Sequence, residues 1–400
     1  MPEENTPLIP QISLKERDRR YKNVRAAMEQ AHIDVLLAPA NTGRWEQLQA
    51  DSRYLTSIGG YATEVFTVFP LQGEVTAYIF NRAAWWRKAQ AWVTDVRDGR
   101  NRWSDNAVDR LKELRFTRGT IGISGLSGLF RAPDGIIPHH TIERLREAFP
   151  DANLVNATAM MQEIRAVKSE EEIGMLERSA AIIEKTIATM TESAIPGRTE
   201  KQLYATMLAT MLIHGGELPT LFLFGTGPGI SGSSFVPTER VLLQGDRIVN
   251  EIEAKYAGYA AQAVAPMVIG KADLRLQEMI EISAACFYAV LEKLKPGVTF
   301  GELFDTYMSA IEQHGKNKYQ WNHPMMHARG LGDESPALLG DSDLERFREI
   351  AVQEGMSFIL KPQVKSDESK ERASIGDTVV VTKTGARRLG QRPLKLITRE

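Results

Sequence analysis

The sequence predicts an α/β N-terminal domain over residues 1–164 and an α+β C-terminal domain over residues 165–400. Three observations carry this expectation. Over roughly the first 150 residues, short apolar runs alternate with amphipathic stretches, as strands and helices do in an α/β layer. The longest helical stretch, Ala159 to Glu192, is interrupted at Val167-Lys168-Ser169, which sets the boundary near residue 165. Beyond it, strands enclose helices instead of alternating with them, the α+β pattern.

The elements follow in order. Leu14 to Ala31 reads as an amphipathic helix with Tyr21, Val24, Met28 and Ala31 on one face. Asp34 to Ala38 reads as a short buried strand. Val65–Phe69 and Val75–Phe80 flank a link containing Gly73 and read as a hairpin. Asn106–Leu114 and His140–Ala148 read as helices, with Thr120–Ser124 a strand between them. Ser169 followed by Glu172 is a capping-box pattern, and Ile173, Leu176, Ala180 and Ile183 continue an apolar stripe. Thr199–His214, Leu274–Leu294 and Gly301–His314 read as helices. Arg247–Ile252, Ala260–Val268, Ser357–Pro362 and Thr378–Thr382 read as strands. There is no repeat and no low-complexity tract.

Composition bounds the function. Lys and Arg total 49 against 51 Asp and Glu, a formal charge of −2, without the basic excess that a polyanion reader needs. No nucleic-acid partner is expected. Cys286 is the single cysteine, which excludes an intramolecular disulfide and a cysteine-cluster zinc site. The first residues carry no secretory pattern, and no apolar run is long enough for a membrane span. The expectation is a cytoplasmic protein without a membrane partner.

Few standard chemical signatures occur. Gly227-Pro228-Gly229-Ile230-Ser231-Gly232 matches G-x-G-x-x-G after an apolar run, but it opens no helix and reads as a turn. His139-His140 sits at a helix start, where a surface or capping role is expected. His323 and His327 are four apart, ligand spacing on a helix, but Pro324 and the following glycines argue for strand or loop.

Further motifs, in order, resemble the pita-bread fold of the creatinase, prolidase, aminopeptidase P and methionine aminopeptidase superfamily. Arg53-Tyr54-Leu55-Thr56 fits its N-terminal domain, and Ala166-Val167-Lys168-Ser169-Glu170-Glu171-Glu172-Ile173 resembles the V-K-S-x-x-E-I linker. Gly227 to Leu242 with Gly245-Asp246 resembles the approach to the first metal-ligand strand. Tyr256-Ala257-Gly258-Tyr259 matches the Y-x-G-Y hairpin. Glu354 to Pro362 resembles E-G-M-x-F-x-I-E-P, and Asp377 to Thr382 resembles D-T-V-x-V-T. The resemblance covers nearly the whole chain, and in character it points to the metal-independent creatinase-like members.

That character rests on departures. The resemblance implies two divalent cations held by two Asp, one His and two Glu. Carried over residue by residue, those positions are Glu251, Gln262, His327, Lys361 and Gly376. A second family His falls on or near Ser234, and the family's H-E-x-P is reduced to Asp333-Glu334-Ser335-Pro336. Hard cations need several anionic or imidazole ligands, and a protonated lysine offers none. Neither a dinuclear metal centre nor any cofactor is expected.

The leading expectation is a metal-independent hydrolase or lyase cleaving a C–N bond of a small metabolite. His327 and Glu251 would be catalytic. Lys361, Gln262, Ser234 and Arg329 would bind substrate, Lys361 stabilising developing negative charge and Arg329 gripping a carboxylate. Creatinase, on the resemblance, does such chemistry without metal, although the creatinase pattern is neutral where Glu251 stands. Two alternatives stay open: a silent protein that binds a peptide or partner, with Glu251 and Lys361 a buried ion pair and His327 structural, and a residual Xaa-Pro metallopeptidase using Glu251 and His327. Aromatics such as Trp45, Tyr54 and Trp321 either line a pocket or fill the core. The resemblance also implies a homodimer, with Trp45 or Arg53 reaching a partner's pocket.

Overall fold

The computed structural model describes residues 9–39, 50–60, 63–129, 132–230, 236–315, 318–323, 326–339, 341–366 and 371–399. Ser234 and Trp45 lie outside the described residues, as does the side chain of Trp321. Contacts divide the chain into one compact unit of Met1–Glu171 with Leu331–Glu334, and a second of Glu172–Gly330 with Ser335–Glu400.

In the first unit, the described strands are β1 (Val35–Ala38), β2 (Val65–Pro70), β3 (Thr76–Ile79), β4 (Asp95–Asp98), β5 (Gly119–Ile123) and β6 (Ala152–Asn156). They form one sheet in the order β4-β3-β2-β1-β5-β6. β2 and β3 pair antiparallel from Val65↔Ile79 to Val68↔Thr76, the predicted hairpin. β1 pairs antiparallel with β2 and parallel with β5. Around them run α1 (Leu14–Gln30), α2 (Ala50–Thr56), α3 (Ala83–Ala89), α4 (Trp103–Glu113), α5 (His139–Ala148) and α6 (Thr158–Ala166).

α1 starts where Ser13 accepts a hydrogen bond from the Glu16 amide at 3.1 Å, an ordinary N-cap. Its buried face is Glu16, Arg20, Val24 and Met28; Val24 and Met28 are as predicted, while Tyr21 is half-buried and Ala31 is exposed, and Glu16 and Arg20 complete the face. The reason is a buried ion pair: Arg20 bonds Glu16 at 3.1 Å and lies 4.3 Å over the Tyr54 ring. Tyr54 is therefore a core residue. The main core sits where Val35, Leu37, Val68 and Ile121 of the sheet meet Val108 and Leu111 of α4. β4 and β6, with sequences DVRD and ANLVN, were not foreseen because neither carries an apolar run.

The second unit opens with α7 (Glu170–Ser193), separated from α6 at the predicted break, and α8 (Glu200–Ile213). Thr199 and Gln202 form a full capping box on α8. Then come β7 (Phe222–Gly227), β8 (Arg247–Tyr256), β9 (Tyr259–Val264), β10 (Met267–Ile269), α9 (Leu274–Lys293) and α10 (Phe300–Gly315). The chain continues through β11 (Tyr319–His323), β12 (Met326–Arg329), β13 (Asp333–Leu338), α11 (Asp341–Phe347), β14 (Ser357–Leu360), β15 (Gln363–Ser366), β16 (Arg372–Ser374), β17 (Gly376–Val381), β18 (Ala386–Arg388) and β19 (Ile397–Arg399).

Among the described residues, the central path of the large sheet is β12-β14-β17-β9-β8-β10, with β7 also on β8. β11, β15 and β16 form a separate small sheet. His323 and His327 thus stand on strands of different sheets. The tight β8–β9 turn places Ala257 at φ 50° and Gly258 at φ 84°, and a two-residue turn with both φ positive matches the twist of its strands.

Candidate active site

Of the predicted site residues, Glu251, Gln262, His327, Arg329 and Lys361 share one face of the large sheet, and strand register shows why. Side chains two apart on a strand share a face, as do residues opposite each other in an antiparallel pair. On β8, Glu251 and Glu253 are two apart, and Glu253 faces Gln262 on β9. Val264, two beyond Gln262, faces Gly376 on β17. Thr378, two beyond Gly376, faces Ile359 on β14, which in turn faces His327 on β12. Lys361 continues the alternation two residues after Ile359. Glu251, Gln262, Gly376, Lys361 and His327 therefore line the same surface.

The chemistry on that face is an ion pair. Lys361 Nζ donates to Glu251 Oε2 at 2.7 Å, and Gln262 Nε2 donates to the same oxygen at 2.8 Å. This fixes the amide of Gln262, since a flip would set oxygen against oxygen. Gln262 Oε1 is buried with no hydrogen-bond partner among the described residues. Both donors reach Oε2, which leaves Oε1 of Glu251 for a further donor. Glu251 and Lys361 are 5% and 4% exposed. His327 is buried, and its Nδ1 lies 3.3 Å from the carbonyl oxygen of Ala328, a bond made by the tautomer protonated at Nδ1.

Gly376 is more than a lost ligand. A Cβ there would stand 2.5 Å from Lys361 Cβ and 2.7 Å from the Leu360 carbonyl oxygen. No side chain fits without moving a strand, so glycine at 376 and the course of Lys361 belong together. The missing carboxylate is legible in the sequence; this close approach is not.

Arg329, expected to grip a substrate carboxylate, forms an ion pair with Glu253, and neither side chain has exposed surface. The other Glu253 oxygen accepts from the amides of Thr220 at 2.7 Å and Leu221 at 3.3 Å. Glu253 went unnoticed in the sequence, although its place two after Glu251 puts it on the same face.

Glu200, the first residue of α8, ties together both flanks of the glycine-rich segment. Its carboxylate accepts from Thr226 N and Oγ1 at 2.7 Å each, and from Thr238 N at 2.8 Å and Oγ1 at 2.6 Å. Burial alone would raise its pKa; these hydrogen bonds more than reverse that and hold it below the ordinary carboxylate value.

Beside the ion pair lies a cavity of about 40 Å³, lined by Glu251 and Lys361, by further polar residues including Arg247, Gln363 and Arg372, and by apolar residues of β8, β9, β10 and α9.

The five carried-over positions do not fit a divalent metal. They offer one carboxylate already bonded to an ammonium, a neutral amide, one imidazole and a glycine. Among the described residues, no group of three or more His, Cys, Asp or Glu is placed to hold a metal ion.

Comparison with known proteins gives the family. Residues 174–383 match the model of metallopeptidase family M24, and residues 20–167 match the creatinase/prolidase N-terminal domain. The chain belongs to family M24. Among its M24 relatives, the Xaa-Pro dipeptidase of Pyrococcus horikoshii is 25% identical over 74% of this chain and 81% of that protein. A probable dipeptidase PepE of Mycobacterium tuberculosis is 27% identical over 61% and 63%. An X-Pro aminopeptidase structure from Thermotoga maritima superposes with a TM-score of 0.78 at 20% identity, covering 95% of this chain and 99% of that one. The architecture is thus a creatinase-like N-terminal domain followed by a pita-bread M24 domain, as expected. At this level the chain is a hydrolase acting on C–N bonds. Both of these sequence relatives carry dipeptidase names, so the expected kinship to metal-independent creatinase-like members gains no support from them.

Among the described residues no helix is long and apolar enough to cross a membrane.

Proposed function

We propose that this M24 chain hydrolyses an amide-type C–N bond of a small substrate using side chains alone. The observation that supports it is the bond from Lys361 to Glu251, which occupies the positions where the family pattern places cation ligands. An ammonium fixed by a carboxylate is a preorganised partner for an oxyanion, and loss of one such donor typically lowers kcat by about 10²- to 10³-fold.

The substrate carbonyl oxygen would point at Lys361 Nζ. Water, held by Glu251 Oε1, adds its oxygen to the carbonyl carbon and gives up one proton to His327. As the C–N bond breaks, His327 returns a proton to the leaving nitrogen, so water is divided between the two products. Gln262 keeps Glu251 in place. Arg329 and Ser234 remain proposed substrate contacts from the sequence. Arg329 would need to give up Glu253 to act, which favours a framing role for it.

The names of the relatives favour a second reading, an Xaa-Pro peptidase that works with a divalent cation in the manner of its family. One assay separates the two. Xaa-Pro dipeptides and simple aliphatic amides are incubated with the protein in chelator and in added Mn²⁺ or Co²⁺, with His327→Ala as control. The proposal expects turnover that is equal in chelator and lost in the variant. Turnover only with added cation supports the peptidase reading. No turnover on either set supports the silent, partner-binding protein.

A further inference from the structure

The cavity beside the ion pair has a definite size and polarity. Its apolar walls include Val264, Leu276 and Ile280, and Glu251 and Lys361 share its polar lining with Arg247, Gln363 and Arg372. The walls are buried: Ile280, Val264 and Leu276 are 1%, 6% and 8% exposed. Among the described residues no polar group bonds Lys361 Nζ besides Glu251, so the ammonium has two N–H directions left. Glu251 Oε1 offers an acceptor next to it. An ammonium and a carboxylate oxygen side by side match one group above others, an amide, whose C=O accepts and whose N–H donates. The volume then limits what that amide can carry. An apolar cavity of roughly 150 Å³ takes benzene, whereas this one measures about 40 Å³. It accommodates a group of one to three carbons and no ring.

We propose that this cavity is the acyl-side pocket, and that the chain binds amides of short aliphatic acids while rejecting aromatic ones. This rests on the reading of Lys361 and Glu251 as the amide-binding pair and adds the substrate class. Ile280, Leu276 and Val264 set the size limit, and the limit is steric.

The test is binding, not turnover. Acetamide, propionamide, isobutyramide and benzamide are titrated into the full chain, and Kd is read from ligand-observed NMR. Propionamide and isobutyramide are expected to bind at least threefold more tightly than acetamide, with benzamide undetected. Ile280→Ala, with Leu276→Ala as a second variant in case the first folds poorly, should admit benzamide. Lys361→Met should remove binding of the three aliphatic amides. Benzamide binding equal to isobutyramide in the parent chain, an unchanged size order in a folded wall variant, or no amide binding at all would overturn the proposal. Amides that bind in the predicted order without being cleaved would retain this pocket and remove the hydrolytic reading. Hydrolysis without a size order would do the reverse.

Discussion

Two glutamates two residues apart on β8 face the same side, and each has a cationic partner, yet they are built for different ends. Glu253 and Arg329 have no exposed surface, and the second Glu253 oxygen is met by two backbone amides. Glu251 and Lys361 retain slight exposure, border a cavity, and sit beside a glutamine oxygen with no partner among the described residues. A sealed pair whose carboxylate is bonded at both oxygens is a frame; one that borders a cavity with an unused carboxylate oxygen and unused N–H groups is equipped to receive a ligand. Burial and charge alone would not separate these pairs. The cavity beside Glu251 and the state of the second carboxylate oxygen do.

Substitutions should pull the two pairs apart. The largest stability loss is expected from Arg329→Met, which leaves Glu253 charged and buried; breaking such a pair costs about 3–5 kcal/mol. Denaturant unfolding monitors it, and a loss below about 1 kcal/mol would erase the contrast. Lys361→Met should lower kcat by about 10²- to 10³-fold while destabilising less than Arg329→Met. Adding Glu251→Gln to Lys361→Met should recover stability without recovering rate, because the orphaned charge is then gone. Gly376→Ala should lose about 1–3 kcal/mol through overpacking against Lys361 and the Leu360 carbonyl.

The smallest effect concerns Glu200. Its folded pKa lies below the ordinary value. The carboxylate therefore contributes stability that is present above the unfolded-state pKa and is lost as pH falls through the lower folded one. Glu200→Gln should flatten the acid limb of a melting-temperature profile below about pH 5 and leave its slope near neutrality unchanged.

The fold was legible where local signals were strong. Periodicity and a cap marked α1, Gly73 marked the β2–β3 hairpin, and the break at Val167–Ser169 separated α6 from α7. Short polar strands such as β4, β6 and β18 were not legible, since their pairing comes from neighbours and not from their own side chains. In the site, the joint position of Glu251, Gln262, His327 and Lys361 followed from the family resemblance. The Arg329–Glu253 pair and the crowding at Gly376 did not, because both are long-range facts of sheet register. Ser234 lies outside the described residues.

The most direct measurement of the central claim is a calorimetric titration of Mn²⁺ and Co²⁺ into chelator-treated protein, alongside elemental analysis of the protein as purified. The account predicts substoichiometric metal and no site tighter than about millimolar, since a divalent cation would have to displace Lys361 from Glu251. Stoichiometric binding in the micromolar range, lost in Glu251→Gln and His327→Ala, would contradict it.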